Sequence, residues 1–272
     1  ELTGSNWGYD NINIEQLHNM GYKGYGKKIG LIDNGIDIDH PSINNVWDGN
    51  SFQSGKLNLY GINSSVLDDI DDPDDADHGT GVAGVAWQCA RDAQFYMDKP
   101  FSMSSIPALH DFVEAIEWLK DNEVEVITCS LAPVDLYGQG PPCDGTCDFC
   151  APYNAAADMI TTVVKSAGNS GNGATYPTCP GNGYWTLSTS SHYYNSLYES
   201  SSPLSSYNGK PDLAAPGAYI TSLDLVENGY NYWSGSSFAA PHVAGSALIL
   251  RHIIDNPISV EDALKNTSID IS

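Results

Sequence analysis

Three short motifs rich in small residues carry a carboxylate, an imidazole and a hydroxyl, in that order along the chain. Asp33 lies in Leu31-Ile32-Asp33-Asn34-Gly35, where an apolar run stops at a turn signature. His78 opens His78-Gly79-Thr80-Gly81-Val82-Ala83-Gly84, and Ser237 lies in Gly235-Ser236-Ser237-Phe238-Ala239-Ala240-Pro241. Each alone has a plain structural reading: a turn former, a helix cap and an N-cap serine. Together they offer chemistry. A hydroxyl attacks a carbonyl poorly unless an imidazole takes its proton. The imidazole does so best when a carboxylate fixes its tautomer and stabilises its cation. That set of groups suits acyl transfer.

Such groups must be brought together by the elements that carry them. Lys28 to Ile32 reads as a short strand. Apolar residues at Leu109, Phe112, Val113, Ile116 and Leu119 mark one face of a helix. Glu123 to Thr128 reads as a strand, Tyr153 to Met159 as a helix, and Ile160 to Lys165 as a β-branched strand closed by Ser166-Ala167-Gly168-Asn169. Ser237 to Ile254 reads as a long, Ala-rich apolar helix. Strand, loop and helix alternating in this way predict an α/β fold with a mostly parallel sheet and helices on both faces. Functional residues of such folds gather on loops at the carboxyl ends of strands, where Asp33 and Asn169 both fall. No repeat or linker interrupts the pattern, which predicts one domain over residues 1–272.

The three motifs resemble the Asp, His and Ser signatures of the subtilisin-like serine proteases, the subtilases, and share that family's chain order. The likeness extends to Tyr22-Lys23-Gly24-Tyr25-Gly26, to Asp212-Leu213-Ala214-Ala215-Pro216-Gly217 and to Pro241-His242-Val243-Ala244-Gly245. It covers nearly the whole chain. The resemblance implies a three-layer subtilisin-like fold and an endopeptidase that hydrolyses peptide bonds through an acyl-enzyme. Its nucleophile is Ser237, third in the motif, rather than the adjacent Ser236. His78 is the base and later the acid, Asp33 its orienting carboxylate, and Asn169 the amide that donates to the oxyanion. Ser130-Leu131-Ala132 matches the edge on which the family lays its substrate as an added strand. Ser166-Ala167-Gly168 would line the opposite wall of the primary pocket. Ala132 stands where the family usually has Gly, which narrows the neighbouring pocket. Asp135 matches a position that reads a basic residue in the kexin-like branch, although that branch's Arg-Cys pair after the His motif is replaced by Gly81-Val82. The resemblance also implies a propeptide, absent here, that assists folding as a partner, and no required cofactor. Two other readings stay open: a narrow processing protease or transpeptidase on the same scaffold, and a catalytically silent binding module.

Charge and cysteine content bound the rest. Eleven Lys and Arg stand against 34 Asp and Glu, a net charge of −23, while 41% hydrophobic residues supply a core. So acidic a chain argues against nucleic acid or an anionic membrane as a partner. No apolar run approaches the roughly 20 residues of a membrane span. A monomer acting on protein or peptide substrates is expected. Glu1 opens the sequence with no signal stretch, which reads as a processed or trimmed chain. Asp68 to Asp77 holds seven aspartates in ten residues, a solvated loop or a weak Ca²⁺ site. The family's strong calcium site is expected to be missing, because Ser42 replaces the carboxylate after His40-Pro41. Cys143, Cys147, Cys150 and Cys179 favour a secreted, oxidising setting and two disulfides of undetermined pairing, with a four-thiolate zinc site as the alternative. Cys89 and Cys129 read as buried thiols.

Overall fold

The computed structural model describes residues 7–64, 76–100, 109–131, 145–157, 161–169, 179, 186–194, 199–201, 211–225 and 229–269. Two short helices, α1 (Trp7–Asn11) and α2 (Ile14–Asn19), precede β1 (Lys28–Ile32), β2 (Ile43–Asn45) and β3 (Leu57–Ser64). Then follow α3 (Asp77–Cys89), β4 (Gln94–Lys99), α4 (Leu109–Asp121), β5 (Val126–Cys129), α5 (Cys150–Ala157) and β6 (Thr162–Ser166). The chain continues with β7 (Thr186–Tyr194), β8 (Glu199–Ser201), β9 (Leu213–Pro216), β10 (Ile220–Asp224) and β11 (Gly229–Trp233), and ends in α6 (Ser236–Leu250) and α7 (Pro257–Thr267).

Nine strands form one sheet in the order β2-β3-β4-β1-β5-β6-β7-β8, with β9 also pairing with β7. Every pair is parallel except β7 with β8. β10 and β11 form a separate antiparallel hairpin. The central strands are buried along nearly their whole length, as a parallel sheet covered on both faces requires. Successive side chains take opposite faces. Ile29 and Leu31 pack with Val82, Val85, Ala240 and Ala244 of α3 and α6. Ile32, Ile127 and Val163 pack with Phe112, Ile116 and Tyr153 of α4 and α5. These are the three layers, helix on sheet on helix.

Register fixes which residues meet beyond the strand ends. Ile32 pairs with Cys129, and Cys129 with Lys165. Asp33, Ser130 and Ser166 to Asn169 therefore emerge side by side at the carboxyl ends of these strands. α6 is apolar on every face and almost wholly buried, lying between the sheet and α3. At that crossing a side chain on Gly245 would collide with Cys89.

Several boundaries differ from the sequence reading, each for a local reason. β5 starts at Val126 because the chain first turns at Glu123, held at φ 58. Thr162 rather than Ile160 opens β6, and α5 begins at Cys150, ahead of Tyr153. α6 stops at Leu250, and Asn256 then caps α7 by accepting from Ser259 N at 3.0 Å.

Candidate active site

Asp33 follows β1 directly and is 0% exposed. Its Oδ1 accepts from Asn34 N at 2.9 Å and from His78 Nδ1 at 2.7 Å. His78 sits there because the start of α3 is pinned to the turn after β1. Asn34 Oδ1 accepts from Gly79 N at 2.7 Å, and Asp77 Oδ1 accepts from His78 N at 2.6 Å. Thr80 Oγ1 accepts from Asp37 N at 2.8 Å and donates to the Ala76 carbonyl at 2.7 Å. The approach is so close that a Cβ on Gly79 would overlap the Gly35 carbonyl oxygen. Burial disfavours charge on the His78 ring. The Asp33 carboxylate, by charge and hydrogen bond, and then Asp77 outweigh it, and the His78 pKa is raised. The ring meets Phe238 edge-on, with centroids 5.5 Å apart.

Phe238 follows Ser237, the second residue of α6, so the imidazole and the serine share one corner. Ser237 Oγ donates to the Ser130 carbonyl at 3.3 Å, and Ser130 Oγ donates to the Ser237 carbonyl at 2.9 Å. Among the described residues no hydrogen bond joins Ser237 Oγ to His78 Nε2. Asp33 and His78 are thus paired, whereas Ser237 is held against Ser130. The start of α6 turns its partial positive charge towards this corner.

Asn169 is fixed by the neighbouring serine. Its Oδ1 accepts from Ser236 N at 2.8 Å and from Ser236 Oγ at 3.1 Å, while Ser236 Oγ accepts from Gly168 N at 3.0 Å. With Oδ1 so engaged, Nδ2 is the part of the amide left to donate elsewhere. A Cβ on Gly235, at φ 147, would come within 3.2 Å of that Nδ2. On the same wall, Ser166 is held by Lys165, whose Nζ donates to the Ser166 carbonyl at 3.0 Å and its Oγ at 2.8 Å. Ala167 N donates to the Thr189 carbonyl at 2.8 Å. Burial lowers the Lys165 pKa, with Cys129, Cys179 and Asp33 acting the other way.

Asp33, His78, Ser130, Leu131, Ser166, Ala167, Gly168, Asn169 and Ser237 all lie at or beside the carboxyl ends of the central strands β1, β5 and β6. Ala132, Asp135 and Cys143 lie outside the described residues, as does the acidic segment apart from Ala76 and Asp77. Three contributors escaped the sequence reading. In the sequence Asn34 reads as a turn residue, Ser236 as the neighbour of the nucleophile, and Lys165 as an ordinary strand residue. Only Asn34 left a usable signal, its place between a strand end and a glycine. Ser42, after His40-Pro41, has its hydroxyl 3.0 Å from the Tyr230 hydroxyl.

The cysteines require a correction. Cys147 and Cys179 sulfurs lie 2.9 Å apart, Cys150 and Cys179 3.4 Å, and Cys147 and Cys150 3.6 Å. A disulfide needs about 2.05 Å. The expected disulfides therefore have no pair at bonding distance among the described residues. Cys89 and Cys129 are fully buried, and burial pushes Cys89 up to about 12.

A sequence profile described as the Subtilase family matches residues 24–270. Subtilisin E of Bacillus subtilis (strain 168) is 29% identical over 273 residues, covering 96% of this chain and 65% of the relative. Subtilisin NAT of Bacillus subtilis subsp. natto gives the same figures, so the chain spans just under two-thirds of these relatives. Against Subtilisin of Bacillus pumilus, also 29% identical, the match covers 90% of the relative. The crystal structure of a cold adapted subtilisin-like serine proteinase superposes with a TM-score of 0.69 at 22% identity, covering 90% of this chain and 82% of that one.

Proposed function

The chain belongs to the subtilase family of serine peptidases, and on that premise we propose that it is an endopeptidase that cuts peptide bonds through an acyl-enzyme on Ser237. The observation that carries this reading is the 2.7 Å bond between His78 Nδ1 and buried Asp33, set beside a serine at the start of a buried helix. The bond presents Nε2 as the basic nitrogen. Turning Ser237 Oγ from the Ser130 carbonyl towards Nε2 completes the relay, a contact that commonly tightens only when substrate is bound. His78 takes the hydroxyl proton as Oγ adds to the scissile carbonyl. It then returns that proton to the leaving amine, and water resolves the acyl-enzyme by the same steps in reverse. The developing oxyanion is met by Asn169 Nδ2 and the backbone N–H of Ser237.

In this reading Ser130, Leu131 and Ala132 pair with the substrate main chain, and Ser166 to Gly168 form the facing wall. Asp135 would favour a basic residue before the cut, in keeping with the chain's net charge of −23. Export, a propeptide that assists folding, and action as a monomeric single domain without a required cofactor belong to the same proposal.

Reaction with a fluorophosphonate, read by intact mass, tests it. One adduct on Ser237, absent from the Ser237→Ala chain, is the expected result. A folded chain that takes no adduct, or takes it on Ser236, would overturn the assignment.

A further inference from the structure

Three sulfurs converge where the catalytic reading needs none. Cys147, Cys150 and Cys179 bring their sulfurs within 3.6 Å of one another, with no pair at disulfide distance. The spacing Cys147-x-x-Cys150 belongs to a tight turn in which the Cys147 carbonyl accepts from Cys150 N at 2.9 Å and Ala151 N at 3.2 Å. Two sulfurs a turn apart plus a distant third is the ligand pattern of structural zinc. Zn–S bonds of about 2.3 Å would set tetrahedral thiolates roughly 3.8 Å apart. The separations at Cys150, 3.4 and 3.6 Å, are near that value, whereas Cys147 and Cys179, 2.9 Å apart, must separate by about 0.9 Å to admit the ion.

We propose that Cys147, Cys150 and Cys179 are thiolate ligands of a structural zinc ion. Each thiol releases its proton to solvent as its sulfur bonds the metal, and no electron is transferred. Three thiolates leave one tetrahedral position for a further donor. The proposal rests on these three sulfurs and takes nothing from Cys143.

The surroundings suit such a centre. Cys150 and Cys179 are fully buried, and the partly buried Phe149 packs against them. A zinc ion with three thiolates carries net negative charge. Lys165 lies wholly buried on β6; burial lowers its pKa, and Cys129, Cys179, Asp33 and Cys150 act the other way. Cys147 and Cys150 lie in the stretch that follows Ser130 and Leu131, and Cys179 in the stretch that follows Asn169. The metal would therefore tie together the two stretches that supply opposite walls of the cleft. It would do so whether or not the chain is a protease.

The purified full-length chain is assayed for zinc by elemental mass spectrometry, and its intact mass is taken under native and denaturing conditions. About one zinc per chain is expected. Replacement by Co²⁺ should give thiolate-to-cobalt charge-transfer absorption with tetrahedral d–d bands. A Cys150→Ser chain should lose the metal. Because that variant can fail to fold, the cobalt spectrum and the mass of the parent chain decide independently. Three results would each overturn the proposal: a metal-free chain lighter by two hydrogens for each bridge, a metal-free reduced chain that takes up no Co²⁺, or a folded Cys150→Ser chain that keeps its metal.

Discussion

In the proposed mechanism the charge of Asp33 sets the pH range in which His78 acts as a base. Burial alone would lower the imidazole pKa, yet the carboxylate raises it above the ordinary value. A general base must be neutral, so activity falls as pH drops through that raised value. The acid limb of kcat/KM is therefore expected above about pH 6.5. In Asp33→Asn the opposing burial is left to dominate. The limb should move to lower pH while kcat drops by about 10⁴, because the wrong tautomer is held. A pH profile on a chromogenic peptide measures both, and an unmoved limb would remove Asp33 from its role. Asn169→Ala is a separate test on the same substrate. Loss of one oxyanion donor should reduce kcat about 10²- to 10³-fold with little change in KM. A rise in KM alone would mean that Asn169 binds substrate without acting on the transition state.

Ser236 works at the scale of elements, because it joins the end of β6 to the start of α6. It is 0% exposed and bonds both Gly168 N and the Asn169 side chain. Ser236→Ala leaves the half-buried Gly168 N–H without that acceptor, which costs about 1 kcal/mol in a denaturant melt. Fluorophosphonate labelling should nevertheless persist on Ser237, and its loss would revive Ser236 as the nucleophile. This clasp also marks where the sequence stops being legible. Asp33, His78 and Ser237 stood out because each chemical group sits in a motif whose small neighbours allow close approach. The strand patterns at Lys28 to Ile32 and Ile160 to Lys165 announced the central sheet. Ser236 gave no such signal, since its partners Gly168 and Asn169 are far away in sequence and meet it only when α6 packs beside the end of β6. Lys165 gave none because only folding buries its ammonium group beside Ser166. α7 is a different case: Asn256-Pro257 is a readable start signal, N-cap and then Pro at the first helical position. The cysteines were misjudged because counting thiols cannot report how far apart their sulfurs will lie.

For the molecule as a whole, acidity that is harmless at the surface becomes a liability where a carboxyl is enclosed. Asp98, at the end of β4, is 1% exposed, and burial pushes it up to about 7. Asn63 Nδ2 donates to its Oδ2 at 2.7 Å, which lowers the pKa, whereas Glu114 raises it. Its Oδ1 has no hydrogen-bond partner among the described residues. Between about pH 4 and about pH 7 the folded chain therefore holds a proton here that the unfolded chain has lost. Stability from this group is full at the acid end and is lost as pH rises towards 7. Glu261, also pushed up to about 7 by burial, has the same sign. His242, lowered to about 4 by burial, has the opposite one, since the unfolded chain binds the proton first as pH falls. A raw stability curve mixes all three. Comparing the parent with Asp98→Asn at each pH cancels the groups the two chains share and isolates Asp98. The amide cannot ionise, so the variant should gain on the parent steadily from pH 4 to pH 7, by up to about 4 kcal/mol. Urea melts of both chains in a Ser237→Ala background, which suppresses self-digestion, read this difference directly. A difference that does not change with pH would mean that Asp98 is ionised in the folded chain throughout, with a counter-charge close enough to cancel its burial.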